Sequence, residues 1–295
     1  MTVASFDDAT PPTSALANRP AGGRSRRRRA PRTGALTLGS GLGLGVGMIW
    51  FSLLVLIPLT AVVVKAQAGG WDAYWKTITN PQTWAAVKLT VEESLIVTLV
   101  NVVMGTLIAW VLVRDDFFGK RALEVVIDVP FALPTIVAGL VLLSLYGPRS
   151  PIGINVANTQ KAVFLALAFV TVPFVVRTVQ PVLENLGPEM EEAAGSLGAG
   201  RLRTFRAVIW PEIWPALATG FALAFARGVG EYGSVVFIAG NQPMRTEITP
   251  LLIITKLEQY DYAGATAIAV AMLVLSFAML LAIGLLQRFA RLRGV

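Results

Sequence analysis

The chain has no cysteine and no histidine, and only 15% of its 295 residues are charged. The lack of cysteine excludes disulfides and thiolate metal sites. The lack of histidine removes Ser-His and Cys-His catalysis together with the commonest metal ligand. A G-x-x-x-x-G-K-[ST] loop is also missing, because Gly119-Lys120 lacks the required glycine spacing before it. Any ATP that drives this protein must therefore be bound by another polypeptide.

Long apolar stretches dominate instead, with 55% hydrophobic residues and a mean hydropathy of +0.65. This composition predicts an all-α, polytopic transmembrane helical bundle. A helix that crosses a hydrocarbon core roughly 30 Å thick needs about 20 residues. Six segments are long enough: about 42–65, 86–113, 122–147, 160–181, 211–240 and 262–288. An even number of spans places both termini on the same side.

Residues 1–35 precede the spans and are rich in Pro, Ser, Gly and Arg, with a basic cluster at Arg24 and Arg26–Arg29. We predict a disordered cytoplasmic tail here and a transmembrane domain over 36–295. The apolar run from about Leu36 to Val64 exceeds the roughly 7–15 residues of a signal-peptide core, so an uncleaved first span is favoured over cleavage after Ala66-Gln67-Ala68. Anionic lipid is a better partner for the arginines than nucleic acid.

The distribution of basic residues predicts the orientation. One side, with the tail, the 114–121 loop, the 182–210 segment and the C-terminus, carries 16 lysines and arginines, and the other side carries 7. Cytoplasmic loops are enriched in these residues. We therefore predict a multi-pass protein of the inner (plasma) membrane with both termini in the cytoplasm.

A polar segment, Gly187–Pro211, interrupts the apolar pattern on the predicted cytoplasmic side. Pro188 suits the first position of a helix, and the glutamates after it suit the unpaired N–H groups of a first turn. Gly198 and Gly200 are expected to end this helix, and a second short helix is expected to begin at Arg201. The first helix would carry a narrow apolar face, with residues at i, i+3, i+4 and i+7: Met190, Ala193, Ala194 and Leu197.

This segment resembles the EAA loop, the coupling helix of bacterial ABC importer permeases. The resemblance rests on Glu192-Ala193-Ala194, on Gly198, and on Val208, Trp210 and Pro211, although isoleucine and leucine are common at positions 208 and 210. It implies the type I (MetI-like) importer fold and a loop that seats in a cleft of a separate cytoplasmic ATPase. The alternative is an ordinary amphipathic loop between two spans. The expected coupling residues are Glu191, Glu192, Ala193, Ala194, Leu197, Gly198 and Pro211.

Prolines and glycines interrupt three of the predicted spans. Pro130 and Pro134 are expected to open the third span, Pro173 to break the fourth, and the Arg227–Gly233 segment to unwind the fifth. Such interruptions usually line a pathway or gate, and the alternative is kinks without a transport role. The candidate pathway residues are Arg227, Gly228, Gly230, Glu231, Pro130, Pro134, Pro173 and Arg177.

Charges inside the predicted spans are the most specific of these candidates. Arg227 and Glu231 are four residues apart on one helix face, so they can form an ion pair. The pair either offers positive potential to a passing anion or is purely structural. Arg177 lies nearer the cytoplasmic end, and Asp128 could balance its charge or cap the third span.

Longer segments resemble the sulfate/thiosulfate permeases of the CysT type. They are Val172–Ala194, Ile78–Gln82, Asp128–Leu140, Arg227–Asn241 and Glu247–Ala269. The resemblance implies a non-enzymatic permease subunit that imports sulfate, and thiosulfate, by alternating access. It also implies a second, CysW-like permease, two CysA-like ATPases that bind ATP and magnesium, and an extracytoplasmic sulfate-binding protein, with no cofactor in this chain.

Three alternatives remain at this point. A molybdate or tungstate permease shares part of the pattern. A secondary anion transporter would be expected to need coupling carboxylates and usually an internal repeat, and no convincing repeat is seen. An intramembrane enzyme would have to work without histidine or cysteine.

Overall fold

The computed structural model describes residues 38–67 and 69–292, and every regular element in these ranges is helical. The predicted tail with its arginine cluster and Ala68 of the rejected cleavage site lie outside the described residues. In chain order the helices are α1 (Leu38–Phe51), α2 (Ile57–Ala66), α3 (Gly70–Ile78), α4 (Pro81–Arg114), α5 (Lys120–Ala132), α6 (Thr135–Tyr146), α7 (Gln160–Asn185), α8 (Pro188–Ser196), α9 (Arg201–Thr204), α10 (Trp210–Val229), α11 (Gly233–Ile238), α12 (Thr249–Glu258) and α13 (Tyr262–Leu292). Short π-helical turns occupy Ser52–Leu56 and Phe205–Ile209.

The chain divides into two units, Met1–Ser52 and Leu53–Val295. The described helix of the first unit, α1, leaves large apolar side chains such as Val46 and Ile49 exposed. Water is a poor solvent for such a surface. These side chains therefore suit lipid or another membrane subunit.

Five helical stretches are long and apolar enough to cross a membrane: Ser40–Ala66, Pro81–Arg114, Gln160–Asn185, Arg201–Val229 and Tyr262–Leu285. The predicted third span is a broken one, formed by the pair α5 and α6, which is bent by 118°. The bend lies at Leu133, which precedes Pro134 and is held in the extended conformation that a residue before proline prefers. Neither helix reaches across roughly 30 Å alone, since 13 and 12 residues extend about 20 and 18 Å.

Pro130 and Pro134 do not both open the third span, as the sequence predicted. Pro130 lies inside α5, and Pro134 immediately precedes α6. The backbones of α6 and α11 approach closely, because a Cβ added to Gly139 would lie 2.6 Å from the Ser234 carbonyl oxygen. The broken segment is thus held against α11 by a contact that only glycine permits.

Helix α7 lies at the centre of the second unit. Its buried side chains form one apolar cluster with α4, α5 and α10, and a second cluster with α4, α6 and α11. The prediction that Pro173 breaks this helix is wrong, because α7 runs without interruption from Gln160 to Asn185. Asn101 of α4 donates hydrogen bonds to the Ala168 carbonyl (3.0 Å) and the Thr171 hydroxyl (2.9 Å), one turn before the proline. A neighbouring helix therefore holds α7 on the N-terminal side of the proline.

The connection from α2 to α4 contains the short helix α3, and the connection from α11 to α13 contains the short helix α12. Between α12 and α13, the Asp261 carboxylate accepts a hydrogen bond from the Gly264 N–H (2.9 Å) and lies 3.1 Å from Lys256 Nζ. These contacts, the backbone hydrogen bond first, lower the pKa of Asp261 below its ordinary value near 3.8.

Candidate functional site: an exposed helix and a broken membrane helix

The polar segment folds as the sequence predicts up to its glycine hinge. Helix α8 begins at Pro188 and ends at Ser196, and Gly198 adopts a positive φ of 79°. The Ala199 N–H donates to the Ala194 carbonyl and the Gly198 N–H to the Gly195 carbonyl. This is a Schellman motif, in which a left-handed residue after the helix pairs its last carbonyls. Gly198 is therefore required by backbone geometry at the hinge.

The predicted apolar face of α8 is largely exposed. Met190 is 50% exposed and Leu197 is 89% exposed, and Ala193 between them is exposed as well. No residue of α8 is buried. Exposed apolar side chains around a small residue form a surface on which a second protein can pack closely.

The segment has two arms, α8 before the glycine hinge and the helical part from Arg201 to Pro211 after it. The second arm begins at Arg201 as predicted, but it is not a separate short helix. The helical stretch continues through the π-helical turn into α10 and ends at Val229. Pro211 lies exposed at the start of α10, directly after the π-helical turn. Any displacement of this arm therefore acts directly on a membrane helix.

The two neighbouring glutamates of α8 face different ways. Glu192 is exposed, whereas the Glu191 Oε1 atom lies 2.6 Å from Nη2 of Arg114, the last residue of α4. The pair lacks the alignment of a hydrogen bond, so we describe it as an ion pair. Arg114 was not among the residues singled out from the sequence, because nothing in the pattern indicates which loop its side chain meets.

The predicted pair of Arg227 and Glu231 is present. Arg227 Nη1 lies 2.5 Å from Glu231 Oε2, and the other Glu231 oxygen accepts a hydrogen bond from the Ser234 N–H at 2.8 Å. The Glu231 side chain is 1% exposed and the Arg227 side chain 33% exposed. The positive end of the pair is therefore partly exposed at the surface of this chain, while the negative end is enclosed.

The helix carrying this pair breaks where the sequence indicates. Helix α10 ends at Val229, and Gly230 and Glu231 lead into α11. Gly228 is buried against Ser94 of α4, and a Cβ at this position would lie 3.2 Å from the Ser94 hydroxyl. The break thus lies next to the charged pair, with Arg227 in the last turn of α10 and Glu231 just after its end.

Arg177 also has the partner considered for it. Its guanidinium donates from Nε to Asp128 Oδ1 (2.8 Å) and from Nη2 to Asp128 Oδ2 (2.5 Å), and it also bonds the Gln180 amide oxygen (2.8 Å). This bidentate contact ties α7 to α5. Arg177 is therefore neutralised more completely than Arg227.

A family profile matches two thirds of the chain. Residues 101–292 match the family described as "Binding-protein-dependent transport system inner membrane component". The chain belongs to this family. It is therefore a membrane-embedded, non-catalytic permease subunit of an ABC importer, in which a partner permease, separate ATPases and a binding protein complete the system.

Relatives and solved structures agree with this assignment. The chain is 46% identical over 258 residues to the sulfate transport system permease protein CysT of Salmonella typhimurium, covering 85% of this chain and 93% of that one. It is 46% identical over 253 residues to the CysT protein of Synechocystis sp., covering 83% and 88%. A bacterial alginate ABC transporter in complex with an alginate pentasaccharide-bound periplasmic protein contains a chain with a TM-score of 0.71 and 17% identity, covering 85% of this chain and 94% of that one, so the two share a fold.

One buried acidic residue of this permease was missed. Glu247 is 2% exposed and accepts a hydrogen bond from the Gln82 amide at 2.7 Å. It begins one of the segments that carry the resemblance, Glu247–Ala269, but nothing in the local sequence pattern indicates that its side chain is enclosed. Its enclosure is seen only in the tertiary structure, where Gln82 in the first turn of α4 contacts the Glu247 carboxylate.

Proposed function

We propose that the chain is one of two permease subunits of an ATP-driven sulfate importer. The observation that carries this proposal is its 46% identity, over 85% of its length, to a protein named as a sulfate transport permease. Thiosulfate is proposed as a second substrate on the sequence resemblance alone. Molybdate and tungstate are the competing anions, because they present a similar tetrahedral divalent shape.

The proposed docking partner of Gly187–Pro211 is a CysA-like ATPase subunit. Support comes from the exposed Met190, Ala193 and Leu197 on a helix that buries none of its residues. Two such ATPases would bind ATP and magnesium, one under this chain and one under a CysW-like permease. A sulfate-binding protein would deliver the anion to the opposite face. We retain Glu192, Ala194, Gly198 and Pro211 as predicted coupling residues.

The proposed orientation places this docking segment and both termini in the cytoplasm, with the basic tail (1–35) against anionic lipid. The support is the unequal distribution of lysine and arginine between the two sides. The remaining residues, from 36 on, would form the membrane domain.

The proposed mechanism is alternating access. Closure of the two ATPases on ATP would move the docking segments together, and the helical stretch from Arg201 to Val229 would carry that movement to the break at Gly230. The ATPase can shift the equilibrium between the two states only by binding them with different affinity. The permease itself forms and breaks no covalent bond in this scheme.

Within the pathway, we propose that Arg227 attracts the anion. Its head is partly exposed, whereas its partner Glu231 is buried, so the pair presents a positive end. Pro130, Pro134, Pro173 and Arg177 are weaker pathway candidates. The opposing interpretation is that Arg227 and Glu231 form a purely structural ion pair.

The experiment that tests the proposed function is purification of the complete complex, followed by identification of the co-purifying chains by mass. Radiolabelled sulfate uptake is then measured in proteoliposomes with ATP inside or outside, and with molybdate as competitor. We expect a second permease and an ATPase to co-purify, and uptake to require both the binding protein and ATP. Uptake without any ATPase subunit would indicate a secondary transporter and contradict the proposal.

A further inference from the structure

The ion pair between Arg114 and Glu191 joins the docking helix to the end of a membrane helix. Arg114 is the last residue of α4, and Glu191 lies in the first turn of α8. Their charged atoms are 2.6 Å apart, and the side chains are only 17% and 31% exposed. Partial burial reduces the screening of the two charges by water. The contact is therefore stronger than a solvated surface pair.

The two helix ends favour this arrangement of charges. The C-terminus of a helix carries a partial negative charge and its N-terminus a partial positive charge. Arg114 places its cation at the C-terminus of α4, and Glu191 places its anion at the N-terminus of α8. Each side chain thus interacts favourably with its own helix as well as with its partner.

The same end of α4 also contacts the second arm of the docking segment. The Arg114 guanidinium carbon lies 5.7 Å from the centre of the Trp110 ring, within cation–π range. The Trp110 ring packs edge-to-face on Phe205, with 6.2 Å between the ring centres. Phe205 begins the π-helical turn that leads into α10. The C-terminal end of α4 therefore contacts both α8 and the helical part that begins at Arg201.

Little else attaches α8 to the rest of the permease. No residue of α8 is buried, so apolar packing holds it weakly. Within the part of the chain that the structure describes, the contact of Glu191 with Arg114 is the one ion pair or hydrogen bond from an α8 side chain to another helix. A displacement of α8 can thus reach α4 through this contact or through the connecting backbone.

We propose that Arg114 and Glu191 are positioning residues that transmit movement of α8 to α4. The proposal rests on the proposed docking of α8 on an ATPase, and it separates the roles of the neighbouring glutamates. Glu191 holds α8 to the permease, while the exposed Glu192 is available to the ATPase. The pair thereby couples hydrolysis to the movement of a second membrane helix in addition to α10.

The test uses charge reversal in the complete complex. Arg114→Glu and Glu191→Arg each place like charges together, and the double variant restores a pair of opposite charges. We expect each single variant to lower the anion transported per ATP hydrolysed by about tenfold, and the double variant to recover most of it. Recovery stays incomplete because the reversed charges oppose the helix dipoles. Arg121→Glu is the matched control, since Arg121 is exposed on the same side and forms no ion pair among the described residues.

A distance measurement distinguishes transmission from mere stability. The chain has no cysteine of its own, so within this chain spin labels attach only at introduced positions. Labels at Ser196→Cys on α8 and Asp116→Cys after α4 report the separation of the two elements with and without ATP. We expect one narrow distance in the unaltered chain and the double variant, and a broad distribution in each single variant.

The outcomes separate the two proposals. If wild-type complexes contain an ATPase, but the single variants keep normal coupling and a narrow label distance, the link is refuted. Failure of the double variant to recover either readout refutes it as well. If wild-type complexes contain no ATPase, the proposed function fails, and the label distances alone then decide whether the pair holds α8.

Discussion

The ion pair of Arg227 and Glu231 allows a test that separates a transport role from a structural role. Arg227→Met leaves a carboxylate that is 1% exposed without its partner. Breaking a buried pair in this way costs about 3 kcal/mol. Glu231→Gln costs less, about 1 kcal/mol, because the unpaired Arg227 head is partly exposed and glutamine keeps an acceptor for the Ser234 N–H. The double variant removes both charges and should recover most of the lost stability.

Transport should respond differently from stability. A dianion about 5 Å from the guanidinium and about 7.5 Å from the carboxylate gains about 2 kcal/mol at an effective dielectric constant of about 20. Loss of this attraction corresponds to about a thirtyfold effect. We therefore expect the double variant to assemble with near-normal stability yet to lose at least about tenfold in sulfate uptake.

The assay measures the thermal melting of the purified complex and sulfate uptake in proteoliposomes at matched complex content. Lys88→Met with Glu92→Gln is the control, because this pair has the same spacing but is exposed, with its charged atoms 3.7 Å apart. We expect no change in that control. Wild-type uptake by the Arg227/Glu231 double variant would refute the pathway role and leave the pair structural. A double variant less stable than Arg227→Met would refute the reasoning from burial.

Three further predictions concern docking, packing and pH. Leu197→Asp should leave melting unchanged, because this side chain is 89% exposed, but should weaken co-purification of the ATPase at least about tenfold by removing buried apolar area and adding a charge. Gly139→Ala should lower stability by about 1–3 kcal/mol, since the new Cβ would lie 2.6 Å from the Ser234 carbonyl, whereas Gly284→Ala, with nothing within 4 Å, should be neutral in the same melt. Because the pKa of Asp261 is lowered in the fold, its contribution to stability is present above its ordinary pKa near 3.8 and is lost as pH falls through the folded value. Asp261→Asn should therefore flatten the acid side of the melting profile, and an unchanged profile would contradict this.

The break in the third segment shows where the sequence was insufficient. Pro130 and Pro134 were recognised, but a proline indicates only that a hydrogen bond is missing, and neighbouring groups decide whether the helix bends. At Pro173 α7 stays continuous, packed among other helices and bonded by Asn101 of α4 in the preceding turns. At Leu133, before Pro134, the chain turns by 118°. The same residue type thus had opposite outcomes in two packing environments.

Local sequence patterns predicted much of the structure of this protein. Hydropathy predicted an all-helical membrane domain, the four-residue spacing predicted the pair of Arg227 and Glu231, and the glycines after α8 predicted its hinge, because each depends on residues close together in the chain. Contacts between distant segments were decided only by the tertiary structure. The attachment of Arg114 to Glu191 and the enclosure of Glu247 depend on which helices pack together, since burial and charge pairing arise when the packed helices exclude water.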